Sequence, residues 1–192
     1  MPRKLDIPPE RVERLCALYR DKARAEIAAA DLLVPGADAT ASRGELVPDV
    51  AVVKGLKGPA EAAGGAAVSG ADGTAISSAL ERLGFDPTRV FYTLSSAVGV
   101  ENPDARASRL RLILEAVDAP VVIALDEVAA DDVSRALGVA RIRVGALTRV
   151  AGRDVLALSG LEDSLADPRD KRRVWAELKS LAPLRAPRTV SA

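Results

Sequence analysis

The chain has 192 residues, 48% of them apolar and 3% aromatic, with 27 basic and 27 acidic side chains. That length fits one domain with a core built mainly from Ala, Val, Leu and Ile, and the zero net charge supplies no overall field to attract DNA or an acidic membrane. One cysteine, Cys16, and no histidine exclude an internal disulfide, a cysteine-held iron–sulfur cluster and the Ser-His-Asp and Cys-His triads.

Pro8, Pro9 and Glu10 open a predicted helix whose apolar stripe runs through Val12, Leu15, Cys16, Tyr19, Ala23 and Ile27 and ends near Ala30. Asp31 to Pro35 reads as a short buried strand entering Gly36. Residues 42–65 read as a long irregular connection, with a short strand at Val50 to Val53 inside it. A helix follows over Gly70 to Leu83, stopped by Gly84, and then a strand over Arg89 to Leu94. Pro103 to Val117 is predicted helical, Val121 to Leu125 a strand buried on both faces, and Asp126 to Leu137 a helix capped by Asp126. Strands at Arg141 to Val144 and Asp154 to Leu158 and a helix over Pro168 to Leu181 complete the pattern.

Alternating strands and helices imply a three-layer α/β/α sandwich around a central, mainly parallel four-stranded sheet. Residues 1–182 are expected to form the domain and 183–192 a flexible tail. The first ten residues carry no signal-peptide core, and no stretch reaches the length of a bilayer span, so the expectation is a cytoplasmic protein without a membrane partner. Ligands of such sheets bind beyond the carboxyl ends of the strands, here near Gly36 to Thr40, Leu94 to Ser96, Asp126 and Ser159 to Glu162.

Several segments, in order, carry a resemblance. They are Ala30-Asp31-Leu32-Leu33-Val34-Pro35-Gly36, Gly65-Ala66-Ala67-Val68-Ser69-Gly70-Ala71-Asp72-Gly73, Val90-Phe91-Tyr92-Thr93-Leu94, and Pro120 to Leu125. The closing run has Asp167-Pro168, Lys171-Arg172, Val174-Trp175, Glu177-Leu178-Lys179 and Leu181. Together they resemble the uracil-DNA glycosylase superfamily, chiefly its bacterial and archaeal iron–sulfur branch, over residues 10–182. The resemblance implies that fold, and a pocket at Gly36, Ala37, Val68, Ser69, Leu94, Ser159 and Gly160 that would receive a base flipped out of DNA.

The same resemblance exposes what is missing. The family's Gly-Glu-x-Pro-Gly acid falls at Ala37, or at Leu33 in the other register. Its stacking Phe falls at Val68, its base-reading Asn at Leu94, and its His-Pro pair at Gly160-Leu161. Leucine has neither the donor nor the acceptor of an amide. Loss of one such group typically costs about 10²–10³ in rate, so a non-catalytic protein- or nucleic-acid-binding module without cofactor, cluster or metal is expected. The alternative is a diverged DNA glycosylase in which Asp38 activates water, with Ser69 or Ser159 assisting; the plainer reading of Asp38 is a loop or cap aspartate. Arg169, Lys171, Arg172 and Arg173 are the candidate DNA-phosphate contacts, although Asp163, Asp167 and Asp170 lie among them. Asp49 and Glu61 could fold over the pocket, or lie solvated in the long connection.

Overall fold

The computed structural model describes residues 8–33, 42–95 and 102–185. It is an α/β structure around a six-stranded mixed sheet. The strands are β1 (Ser42–Gly44), β2 (Val50–Lys54), β3 (Val90–Leu94), β4 (Val121–Ala124), β5 (Leu147–Val150) and β6 (Arg153–Ala157), in the spatial order β1-β3-β2-β4-β6-β5. Pairings β2–β3, β2–β4 and β4–β6 are parallel, and the edges β1 and β5 are antiparallel to their neighbours. The sheet therefore has six strands where four are predicted, because two short edge strands join it.

Residue alternation divides the core between the two faces of the sheet. Val50, Val52, Val90, Tyr92, Leu94, Val121, Ile123, Leu156 and Leu158 pack with Ile76 and Leu80 of α3 (Ala71–Arg82) and Val174 and Leu178 of α7 (Pro168–Leu178). Ala51, Val53, Phe91, Val122, Ala124, Val155 and Ala157 belong to a second cluster. It includes Ala30 of α1 (Pro9–Leu32), Leu110 and Ile113 of α4 (Pro103–Val117), and Ala129 and Val133 of α5 (Glu127–Ala136). Two short helices, α2 (Pro59–Ala62) and α6 (Leu161–Ser164), lie in the connections after β2 and β6.

Three expectations are corrected. Asp31 and Leu32 are the last residues of α1, and Leu33 is its αR cap, so the segment expected as a strand is helical as far as it is described. The helix runs on through Ala30, buried like Ala23, to Asp31, whose carboxylate is held by Arg109 of α4 at 2.8–2.9 Å, whereas Val12, Leu15 and Tyr19 of the expected stripe are exposed. Val50–Lys54 is not a minor strand in a loop but a central one, buried at all five positions between β3 and β4. Residues 141–144 contribute only a single bridge, Val144 to Ala157, and the strand pairing antiparallel with β6 is β5. The β5–β6 turn has positive φ at Ala151 (48°) and Gly152 (82°), the backbone pattern of a two-residue type I′ hairpin. After α7 a 3-10 segment spans Lys179–Arg185, and Leu184 packs on the core.

No described helix is long and apolar enough to cross a membrane. Ile123 is fully buried in β4, at the centre of the sheet. Ile123→Ala should lower unfolding stability by about 2–5 kcal/mol in urea titrations, with an unchanged denaturant slope.

Candidate functional site

Strand alternation puts Lys54, the last residue of β2, on the same face as Val50 and Val52. Its ammonium is thus carried into the interior at the carboxyl end of a central strand, with only 3% of the side chain exposed. Three carboxylates meet it there. Asp72 of α3 lies at 2.6 Å, Glu162 of α6 at 2.9 Å and Glu61 of α2 at 3.1 Å. The side chains of Asp72 and Glu61 are each 1% exposed, and that of Glu162 is 38% exposed.

The local chain is shaped to close over this cluster. Glu61 accepts a hydrogen bond from the Gly58 N–H at 2.9 Å, so α2 is folded back onto Lys54. A Cβ on Gly58 would lie 2.4 Å from a Glu162 oxygen and 2.6 Å from the Lys54 nitrogen, so a side chain there would push these two groups aside. On the adjoining loop, Asp126 caps α5 through the Ala129 N–H and also accepts from the Gly55 N–H, both at 2.8 Å.

Burial by itself would lower the Lys54 pKa, but Asp72, Glu162 and Glu61 outweigh it and hold the ammonium above its usual 10.5. Burial likewise pushes Glu61 up, while Lys54 and the backbone N–H donors pull it below its usual 4.5. Lys54 is therefore a fixed cation, unsuited to act as a nucleophile or base. With one positive and three negative groups the cluster is formally −2 when its carboxylates are ionised.

The predicted pocket residues are distributed around this plug. Gly36, Ala37 and Asp38 lie outside the described residues. Val68 and Leu94 are buried in the core cluster on the Lys54 face. Val68 has φ 51°, unusual for a β-branched residue, and its carbonyl and that of Ala67 accept hydrogen bonds from Arg43, whose guanidinium sits 4.0 Å from the Tyr92 ring centroid. The Leu94 carbonyl accepts from Arg109 at 2.8 Å. Ser159 donates its N–H to Glu177, and its hydroxyl accepts from Arg173, both at 3.0 Å, so α7 occupies its polar atoms. Gly160 has φ 104°, a conformation that would strain a histidine. Ser69 is exposed beside a groove of about 620 Å³ that also takes in Val68, Thr74 and Ser77, but not Leu94, Ser159 or Gly160.

Arg169, Lys171, Arg172 and Arg173 are all exposed, and Arg173 is paired with Asp170 at 2.9 Å. Asp49 pairs with Arg89 at 2.7 Å, and Glu61, which could have been a solvated loop charge, is buried. Lys54 and Asp72 were not singled out from sequence. The available signal is a lysine at the third position of the alternation Val50, Val52, Lys54, where an apolar residue would continue the buried face. Among the described residues no group of three or more His, Cys, Asp or Glu is arranged to hold a metal ion.

Lys54→Met would strand the buried carboxylates and should cost about 3–5 kcal/mol at neutral pH. The pH dependence follows from the two shifted groups. The lowered Glu61 pKa gives stability that is full above 4.5 and lost as pH falls through the folded value; the raised Lys54 pKa gives stability that is full below 10.5 and lost as pH rises through the folded value. Wild type should therefore lose this stability below about pH 4.5, and the gap to Lys54→Met should narrow with falling pH as the stranded carboxylates, raised by burial, take up protons, as measured by urea unfolding at a series of pH values.

No family model matches the chain, and no curated protein matches it significantly, so the reading of the site rests on its residues and their geometry.

Proposed function

We propose that the chain is a uracil-DNA-glycosylase-type domain, a three-layer α/β/α sandwich, that does not excise bases and acts by binding a partner. The observation that carries this reading is the burial of two of the positions a flipped base would meet. Val68 and Leu94, which stand at the positions of the stacking ring and the base-reading amide, are buried core residues, and the Lys54 cluster fills the neighbouring space.

The chemistry argues in the same direction. Cleaving the N-glycosidic bond of uracil develops negative charge on the leaving base, which an enzyme stabilises with preorganised donors or positive charge. Here the buried ammonium is already committed to three carboxylates, and the net charge around it opposes a second anion. The order of the inner parallel strands, β3-β2-β4-β6, makes β2 the strand that runs into the first carboxyl-end loop. The family's Gly-Glu-x-Pro-Gly acid falls at Ala37, or at Leu33 in the other register. In either register no carboxylate occupies the water-activating position.

For the partner, the exposed Arg169, Lys171 and Arg172 at the start of α7 favour nucleic acid, and the interleaved Asp163, Asp167 and Asp170 weaken that attraction. The reading is tested by incubating the protein with uracil-, hypoxanthine- and xanthine-containing DNA, followed by alkali. Wild type should leave no strand breaks above the no-protein control. Excision by wild type that is abolished in Asp38→Ala would replace this reading with that of an active, diverged glycosylase.

A further inference from the structure

The core-facing sides of α3, α6 and α7 do not close completely. Between them lies a groove of about 300 Å³ whose apolar lining includes Ala79, Leu161, Leu165, Val174, Trp175 and Leu178. Of the two serines in its wall, Ser164 donates its hydroxyl to the Leu161 carbonyl at 2.6 Å and so offers little polarity to the groove. The charged side chains that line it are Arg82, from α3, and Lys171, from α7. Both are exposed, and neither forms a side-chain ion pair among the described residues. Acidic residues are plentiful on α6 and α7, but none of them lines the groove.

An apolar trough flanked by two uncompensated cations from opposite walls has a definite complement. We propose that this groove binds an anionic amphiphile, a single alkyl chain with a carboxylate head. The chain would remove apolar lining from water, and the head would sit between the Arg82 guanidinium and the Lys171 ammonium. The volume is at the small end of ligand sites, which suits one unbranched chain and not a nucleotide or a polycyclic molecule. The surface lies outside the Lys54 cluster, and the inference does not rest on the glycosylase reading.

Trp175 is the only tryptophan of the chain and lines the groove, so its fluorescence reports occupancy directly. The test titrates the full chain with decanoate and decyltrimethylammonium below their micelle concentrations and with decanol below its solubility limit. Decanoate should give a saturable blue shift, with decanol and decyltrimethylammonium binding at least tenfold more weakly. The double variant Arg82→Gln with Lys171→Gln changes two exposed side chains and should keep the wild-type thermal unfolding curve while losing at least tenfold in decanoate affinity. A non-saturating response to decanoate, equal binding of decanol, or unchanged affinity in the double variant would overturn the proposal.

Discussion

The Lys54 ammonium is the interaction on which the arrangement of the carboxyl edge depends. A lone lysine in an apolar interior costs several kcal/mol, and the chain meets that cost by bringing one carboxylate from each of three helices to it. The consequence is topological as well as electrostatic. Helices α2, α3 and α6, which are separated in sequence, are tied to the end of one central strand. Removing the lysine leaves two carboxylates, each with 1% of the side chain exposed, without their cation.

The opposite face of the sheet is closed by similar means. Arg109, fully buried, joins α4 to the Leu94 carbonyl and to Asp31 at the end of α1. Asp132 of α5 accepts from the Ser95 hydroxyl at 2.7 Å and pairs with Arg106 at 3.1 Å. Asp126 joins the loop after β2 to the start of α5. In open α/β sheets the carboxyl edge is where ligands normally bind. Here, among the described residues, the polar groups of that edge bond to one another and serve as structural members of the fold. The groove between α3, α6 and α7 is lined mainly by apolar side chains, with Arg82 and Lys171 as its charged lining residues.

The elements with strong local signals were legible in the sequence. The uninterrupted run Val121 to Leu125 marks a buried strand, Asp126 marks a cap, and the Pro168 start with Val174 and Leu178 marks the last helix. One misreading and one incomplete reading share one cause. The short apolar run Asp31 to Pro35 is locally ambiguous between helix and strand, and the strand Val50 to Val53 does not reveal its own place in the sheet. What decides them is distant: Arg109 holds Asp31 in α1, and parallel pairing with both β3 and β4 makes Val50–Lys54 central. The cluster was hidden for the same reason, since Lys54, Glu61, Asp72 and Glu162 are scattered along the chain and each resembles a solvated charge. At position 160 the sequence shows only a glycine; its φ of 104° is visible in the structure alone and would strain any side chain there.

The account's central claim is that Lys54 is a permanently charged, water-excluded lock and not a reactive amine. Nitrogen-15 NMR of the lysine ammonium groups tests it most directly, with Lys54→Met supplying the assignment. A slowly exchanging Lys54 NH₃⁺ signal at neutral pH, still protonated above 10.5, is the expected result. A Lys54 ammonium that exchanges as fast as the surface lysines, or that deprotonates below 10.5, would contradict the account.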